Sequence, residues 1–132
     1  MESIKNDVSV KKTQKKVMII IILLITVFIL YNVFMLIITN VNRQIYSVTV
    51  TDKLRVTYGH IWNQHKYLIF TEDEYGIIRV FENTDSLIYS KFNSSDVYAQ
   101  LKVGSKVKLT TVGVRIPERS MYQNIINVEF ID

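Results

Sequence analysis

Residues 17–38, VMIIIILLITVFILYNVFMLII, run for 22 positions without a charged side chain. A helix rises about 1.5 Å per residue, so this run reaches about 33 Å, enough to cross a hydrocarbon core about 30 Å thick. A secretory signal would be shorter and would end near a small-residue cleavage site. Here the exit reads ITNVNRQ, and the chain contains no cysteine for lipid attachment or disulfides. A buried core helix would need a large domain around it, and too little chain remains. The run therefore predicts an uncleaved transmembrane signal-anchor over 17–38, with a lipid bilayer as its first partner.

The flanking charges give it a direction. Lys11, Lys12, Lys15 and Lys16 stand just before the run, whereas Arg43 and Lys53 are the first basic residues after it. Basic residues stay on the cytoplasmic side. The expected topology is a cytoplasmic basic tail (1–16), the span (17–38), a short linker (39–44) and an extracytoplasmic domain (45–132) at the inner membrane. The tail is expected to lack order away from the membrane. Inside the span, Asn32 and Thr26 are polar, and a side-chain amide at that depth needs a partner. Both are candidate contacts to another membrane helix, unless Asn32 reaches its own backbone or the interface. The span holds no Gly, Ala or Ser, which argues against close small-residue packing.

Net charge also limits function. The whole chain carries +4, but residues 44–132 hold ten basic and ten acidic side chains. A nucleic-acid binder concentrates positive charge on its folded domain. This chain places its excess beside the span, so no nucleic-acid partner is expected.

After the linker the pattern has period two. Tyr46, Val48, Val50, Leu54, Val56 and Tyr58 share one parity, with a break at Asp52, which predicts a long strand bent by a bulge at 51–53. KYLIF (66–70) and IIRVF (77–81) flank the turn TEDEYG and predict a hairpin. NSSDVYAQL (93–101) predicts a short helix capped by Ser94 or Ser95, with Asp96 in its first turn and Gly104 beyond its end. KVKLTTVGV (106–114) alternates, then changes phase at Thr110–Thr111. NIINVEFI (124–131) predicts a last strand with Ile126, Val128 and Phe130 on one face. A long bent strand, a hairpin, a helix and two strands follow the order of an OB-like five-stranded barrel with one short helix. An SH3-like barrel or an open α+β sandwich would also fit.

The stretch KFNSSDVYAQLKVGSKVKLTTVGVRIPERSMYQNI (91–125) resembles the C-terminal signature of a family of small single-span membrane proteins of unknown function from bacteria and their viruses. The signature places a phenylalanine before a Ser-Asp helix start, then Gly-aromatic-Arg-Ile-Pro, Ser-Met and an asparagine. This chain supplies Phe92, Ser95, Asp96, Gly113, Arg115, Ile116, Pro117, Ser120, Met121 and Asn124. It has Val114 where the signature has the aromatic. The resemblance implies an anchored domain of the cell envelope and supplies no activity.

Chemistry-bearing patterns are few. His60 and His65 lack a third ligand at metal-site spacing, so no metal is expected. Glu72, Asp73 and Glu74 lack the alternating spacing and glycine of a calcium loop. No serine sits in a nucleophile elbow, and no glycine-rich loop could cradle phosphate. Neither catalysis nor a cofactor is expected. Asn93-Ser94-Ser95 is formally a glycosylation sequon, but a helix start explains it better. VRIPERSMYQN is the remaining candidate site, because Arg, Met and Tyr are enriched in interface cores. Arg115, Arg119, Met121 and Tyr122 are its binding candidates, unless Arg115 serves as a clamp paired with Asp96 or Glu82. The expected function is an interaction module docking on an envelope protein, one form being a phage-encoded modifier of lysis or superinfection. The alternative is a membrane-tethered sensor barrel for a small ligand or glycan.

Overall fold

The computed structural model describes residues 2–58 and 64–131. The chain divides into two compact units, residues 1–37 and 38–132. The first belongs to a helix, α1, running over Glu2–Asn40. Its stretch Val8–Asn40 is long and apolar enough to cross a membrane, and its apolar part is not buried within the chain. Helix is continuous through the basic tail, where disorder is expected from the sequence. It also takes up Thr39 and Asn40, so the linker shrinks to residues 41–43.

The second unit is a closed barrel of five strands in the order β1-β2-β3-β5-β4. The strands are β1 Gln44–Tyr58, β2 Gln64–Glu72, β3 Ile78–Asn83, β4 Lys106–Val112 and β5 Asn124–Phe130. A short helix, α2 (Ser94–Gln100), joins β3 to β4. This is the OB-like arrangement, with β1 shared between the two halves. Residues 44–49 of β1 pair with β4, and residues 49–58 pair with β2. Thr51 is skipped in the register, since Val50 faces Thr71 and Asp52 faces Phe70.

That bulge reverses the facing of the second half of β1. Leu54, expected inside with Val50, is 50% exposed. Lys53 instead turns toward α2, where its ammonium donates to the Tyr98 carbonyl at 2.7 Å and lies 4.5 Å from the Tyr98 ring centroid. A second slip occurs at Thr110–Thr111, where the sequence changes phase. Thr110 faces Asn127 and Thr111 faces Ile125, so Ile126 is skipped. Ile125 is therefore the fully buried residue of β5 and Ile126 leaves the face it was expected to share with Val128, which packs against the core, while Phe130 stays half exposed.

The barrel is filled by Val48, Val50, Ile69, Phe81, Leu101, Val107, Leu109 and Ile125, with Val97 and Tyr98 of α2 packed against them. The first turn of α2 is not capped by Ser94 or Ser95. Asp85 supplies the acceptor, its Oδ1 taking the Ser94 N–H at 3.0 Å. The Ser95 hydroxyl is instead bonded to the Tyr67 hydroxyl, whose ring stacks on Tyr98. Asn83 is fully buried at the end of β3; its amide donates to the Ser94 carbonyl and its Oδ1 accepts from Lys91 at 2.5 Å.

Candidate functional site

The barrel closes weakly at one seam. Between β3 and β5, among the described residues, the parallel ladder has a single pair, Glu82 with Asn124, and the Glu82 N–H donates to the Gln123 carbonyl at 2.9 Å. Ahead of that pair, β3 faces a loop rather than a strand. Residues 113–123 form this loop: Gly113 with a φ of +88°, a 3-10 turn at Pro117–Arg119, and a bridge between Ile116 and Met121. A groove of about 410 Å³ lies between loop and strand, lined by Tyr46, Ile78, Arg79, Val80, Phe81, Arg115, Tyr122 and Gln123. Alternate residues of a strand turn their peptide groups to the same edge. Since Glu82 points its N–H toward the loop, the peptide groups of Val80 and Ile78 point that way too.

Two guanidinium groups sit on two tyrosine rings here. Arg115 lies 4.0 Å from the Tyr122 centroid, and Arg79 lies 5.2 Å from that of Tyr46. Each is also held by hydrogen bonds. Arg115 donates to the carbonyls of Met121 at 2.7 Å and Ile116 at 3.3 Å. Arg79 meets the Asp73 carboxylate at 2.5 Å. Asp73 also accepts the N–H groups of Tyr75 and Ile77 across the β2–β3 turn. Its carboxyl is held below the usual range, first by the Arg79 hydrogen bond and then by the Ile77 N–H.

The groove's inner end is an amide–phenol network. The Tyr46 hydroxyl donates to Gln44 Oε1 and lies 3.1 Å from Gln123 Oε1, an alternative acceptor for the same proton. The Gln123 amide donates to Gln44 Oε1 and to the Gly113 carbonyl. No carboxylate lines the groove. The arrangement can hold an acceptor-rich, planar or extended ligand by charge-assisted hydrogen bonds and ring contact. It contains no nucleophile with an adjacent base.

Of the residues singled out from the sequence, Arg115 and Tyr122 line this groove. Met121 braces the loop through its bridge to Ile116. Arg119, on the 3-10 turn, is not among the lining residues. Arg115 does act as a clamp, but on its own loop's carbonyls rather than on Asp96 or Glu82; Glu82 pairs with Lys66 at 3.4 Å. Tyr46, Arg79, Phe81 and Gln123 carried no local signal, because β-closure brings them together from positions up to 77 residues apart. In α1, Asn32 donates to the Phe28 carbonyl at 2.7 Å and Thr26 to Ile22 at 2.9 Å. Thr26 thus satisfies its donor within its own helix, and Asn32 uses one of its two amide N–H groups there. Lys11, Lys12, Lys15 and Lys16 all lie on α1 and are exposed.

His60 lies outside the described residues, and His65 bonds to Thr57 at 3.0 Å. Among the described residues, no group of three or more His, Cys, Asp or Glu side chains converges as a metal site. Comparison with protein-family models, curated proteins and solved structures finds no match.

Proposed function

We propose that the chain is a bitopic inner-membrane protein whose outward-facing barrel docks on an envelope protein. The groove between β3 and residues 113–123 would receive an extended, acidic segment of that partner. The observation that carries this reading is a groove with two ring-stacked guanidiniums, no lining carboxylate and a strand edge facing it. An exposed strand edge recruits an extended peptide through main-chain hydrogen bonds, and flanking pockets select its side chains. Four lysines before an uncharged span support the N-in orientation.

The volume also favours a second reading, since about 410 Å³ falls in the range of small-molecule sites. On that reading a small carboxylate or acidic sugar takes the place of the peptide.

The test is site-specific photo-cross-linking from Tyr122 in intact membranes. A protein adduct should form with the unmodified chain and disappear in Arg115→Ala. Arg115 is exposed, so its loss should lower stability by only about 1 kcal/mol. Arg119→Ala, outside the groove, should keep the adduct. Capture that survives Arg115→Ala but not Arg119→Ala would move the contact to the loop's outer face. A free acidic sugar that abolishes capture at low concentration would favour the sensor. For orientation, a C-terminal alkaline phosphatase fusion should be active and a fluorescent-protein fusion dark; the opposite pair would reverse the topology.

A further inference from the structure

The β3–α2 connection, residues 84–93, folds as a tight hairpin. Ser86 and Lys91 exchange two backbone hydrogen bonds of 2.9 Å, and Ser90 takes a left-handed φ of 50°. The tip carries Leu87, 84% exposed, and Ile88, 54% exposed; Phe92 at the base is 65% exposed. Single apolar residues on a surface are ordinary and decide nothing alone.

Three further facts give this tip a direction. First, the Tyr89 hydroxyl, beside Ile88, donates to the carbonyl of Asn40, the last residue of α1. Residues 39–41 are held by loop 113–123 as well: the Gly113 N–H donates to the Val41 carbonyl at 2.6 Å, and a Cβ on Gly113 would stand 2.7 Å from the Thr39 carbonyl oxygen. The apolar run has ended only at Ile38. The hairpin tip is therefore a neighbour of the point where the chain leaves the span. Second, residues 86–90 carry no charge. Third, the charged residues at the hairpin's base are turned to other work. Lys91 is 6% exposed and donates to Asn83 Oδ1 and the Thr84 carbonyl. Asp85 holds the start of α2.

Amphipathic surface elements seat their apolar residues about 5–10 Å into the headgroup–acyl boundary, and tyrosine is enriched at that level. We infer that hairpin 86–91 is a second membrane contact: Leu87 and Ile88 enter the lipid boundary, with Tyr89 at the headgroup level. The inference rests on the bitopic reading. It adds that the barrel is seated on the bilayer as well as threaded to it, and it assigns a reason to the inward turn of Lys91.

The native chain has no cysteine, so single-cysteine labelling is clean. Three full-length variants, Leu23→Cys, Leu87→Cys and Tyr75→Cys, would carry an environment-sensitive fluorophore. Each would be reconstituted into phosphatidylethanolamine–phosphatidylglycerol vesicles containing lipids spin-labelled at a shallow acyl position. Leu23 lies in the span, while Tyr75 is 80% exposed on the turn at the far end of β3. Six strand residues, about 20 Å, separate that turn from the hairpin. The labels at 23 and 87 should be quenched by lipid, and the label at 75 should not. Quenching at 23 with 87 no different from 75 would overturn the contact and leave the span intact. A blue shift at 87 without lipid quenching would assign the tip to a protein partner and overturn it as well. No quenching at 23 would remove the span, and this inference with it.

Discussion

The helix α1 and the barrel are stabilised by opposite means. From Val17 to Phe34 every residue of the helix is exposed, so its apolar side chains gain nothing from the rest of the chain. The barrel hides Val50, Ile69, Leu101, Val107, Leu109 and Ile125 completely. A helix that is apolar all round takes its stability from its surroundings, whereas a filled barrel carries its own. Changes in one region should therefore leave the other untouched.

The largest expected effect tests that separation. Phe81 is 1% exposed and packs against the Tyr46 ring at 5.0 Å. Phe81→Ala should destabilise the barrel by about 3–5 kcal/mol. Phe28→Ala in α1 should leave the thermal melt of the barrel in the full chain unmoved. Near-ultraviolet circular dichroism in detergent follows both, and coupled shifts would show that the two regions do not fold independently.

An intermediate effect concerns Lys91, whose ammonium is pushed down to about 8 by burial, with Asp85 and Glu82 opposing that shift. The unfolded chain, near 10.5, holds this proton longer. Between those values the unfolded state binds more protons, so stability rises with pH across the window. Below it the buried charge is a standing penalty. The stability of the native chain relative to Lys91→Met should rise from pH 8 to pH 10.5, by on the order of 2 kcal/mol after allowance for solvent screening. Denaturant melts at a series of pH values measure it, and a flat difference would mean that Lys91 stays charged.

The smallest effect sharpens the picture of the barrel's interior. The Thr111 hydroxyl is buried at the β4–β5 slip with no hydrogen-bond partner. Thr111→Val should raise stability by about 1 kcal/mol. A loss instead would imply that this hydroxyl is satisfied in solution.

What could be read from the sequence follows the range of each interaction. The long apolar helix, both strand slips and α2 are legible because each is written in adjacent residues: an uncharged run, two breaks in a period of two, and an acid in a first helical turn. The facing beyond each slip is not, because a skipped residue reverses parity and only the partner strand shows where it falls. Leu54 and Ile126 were misplaced for that reason. In the groove, Arg115 and Tyr122 stood out beside a proline turn. Arg79, Tyr46 and Gln123 did not, since only the β3–β5 seam brings them together. Nothing in the residues beside Lys91 marks its inward turn, which depends on Asn83 eight positions earlier.

Only residues 41–43 lie between α1 and β1. Fully extended, three residues reach about 10 Å. If α1 is a membrane anchor as proposed, a barrel on so short a leash would explore a thin layer along the bilayer rather than the depth of the compartment. Its encounters would be governed by lateral diffusion and by the copy number of partners in the same membrane. A detached barrel titrated in solution would then understate the interaction, because the tether supplies an effective concentration that dilution removes. Weak intrinsic affinity would be enough, and lengthening the leash, with every contact intact, would be the way to lose it.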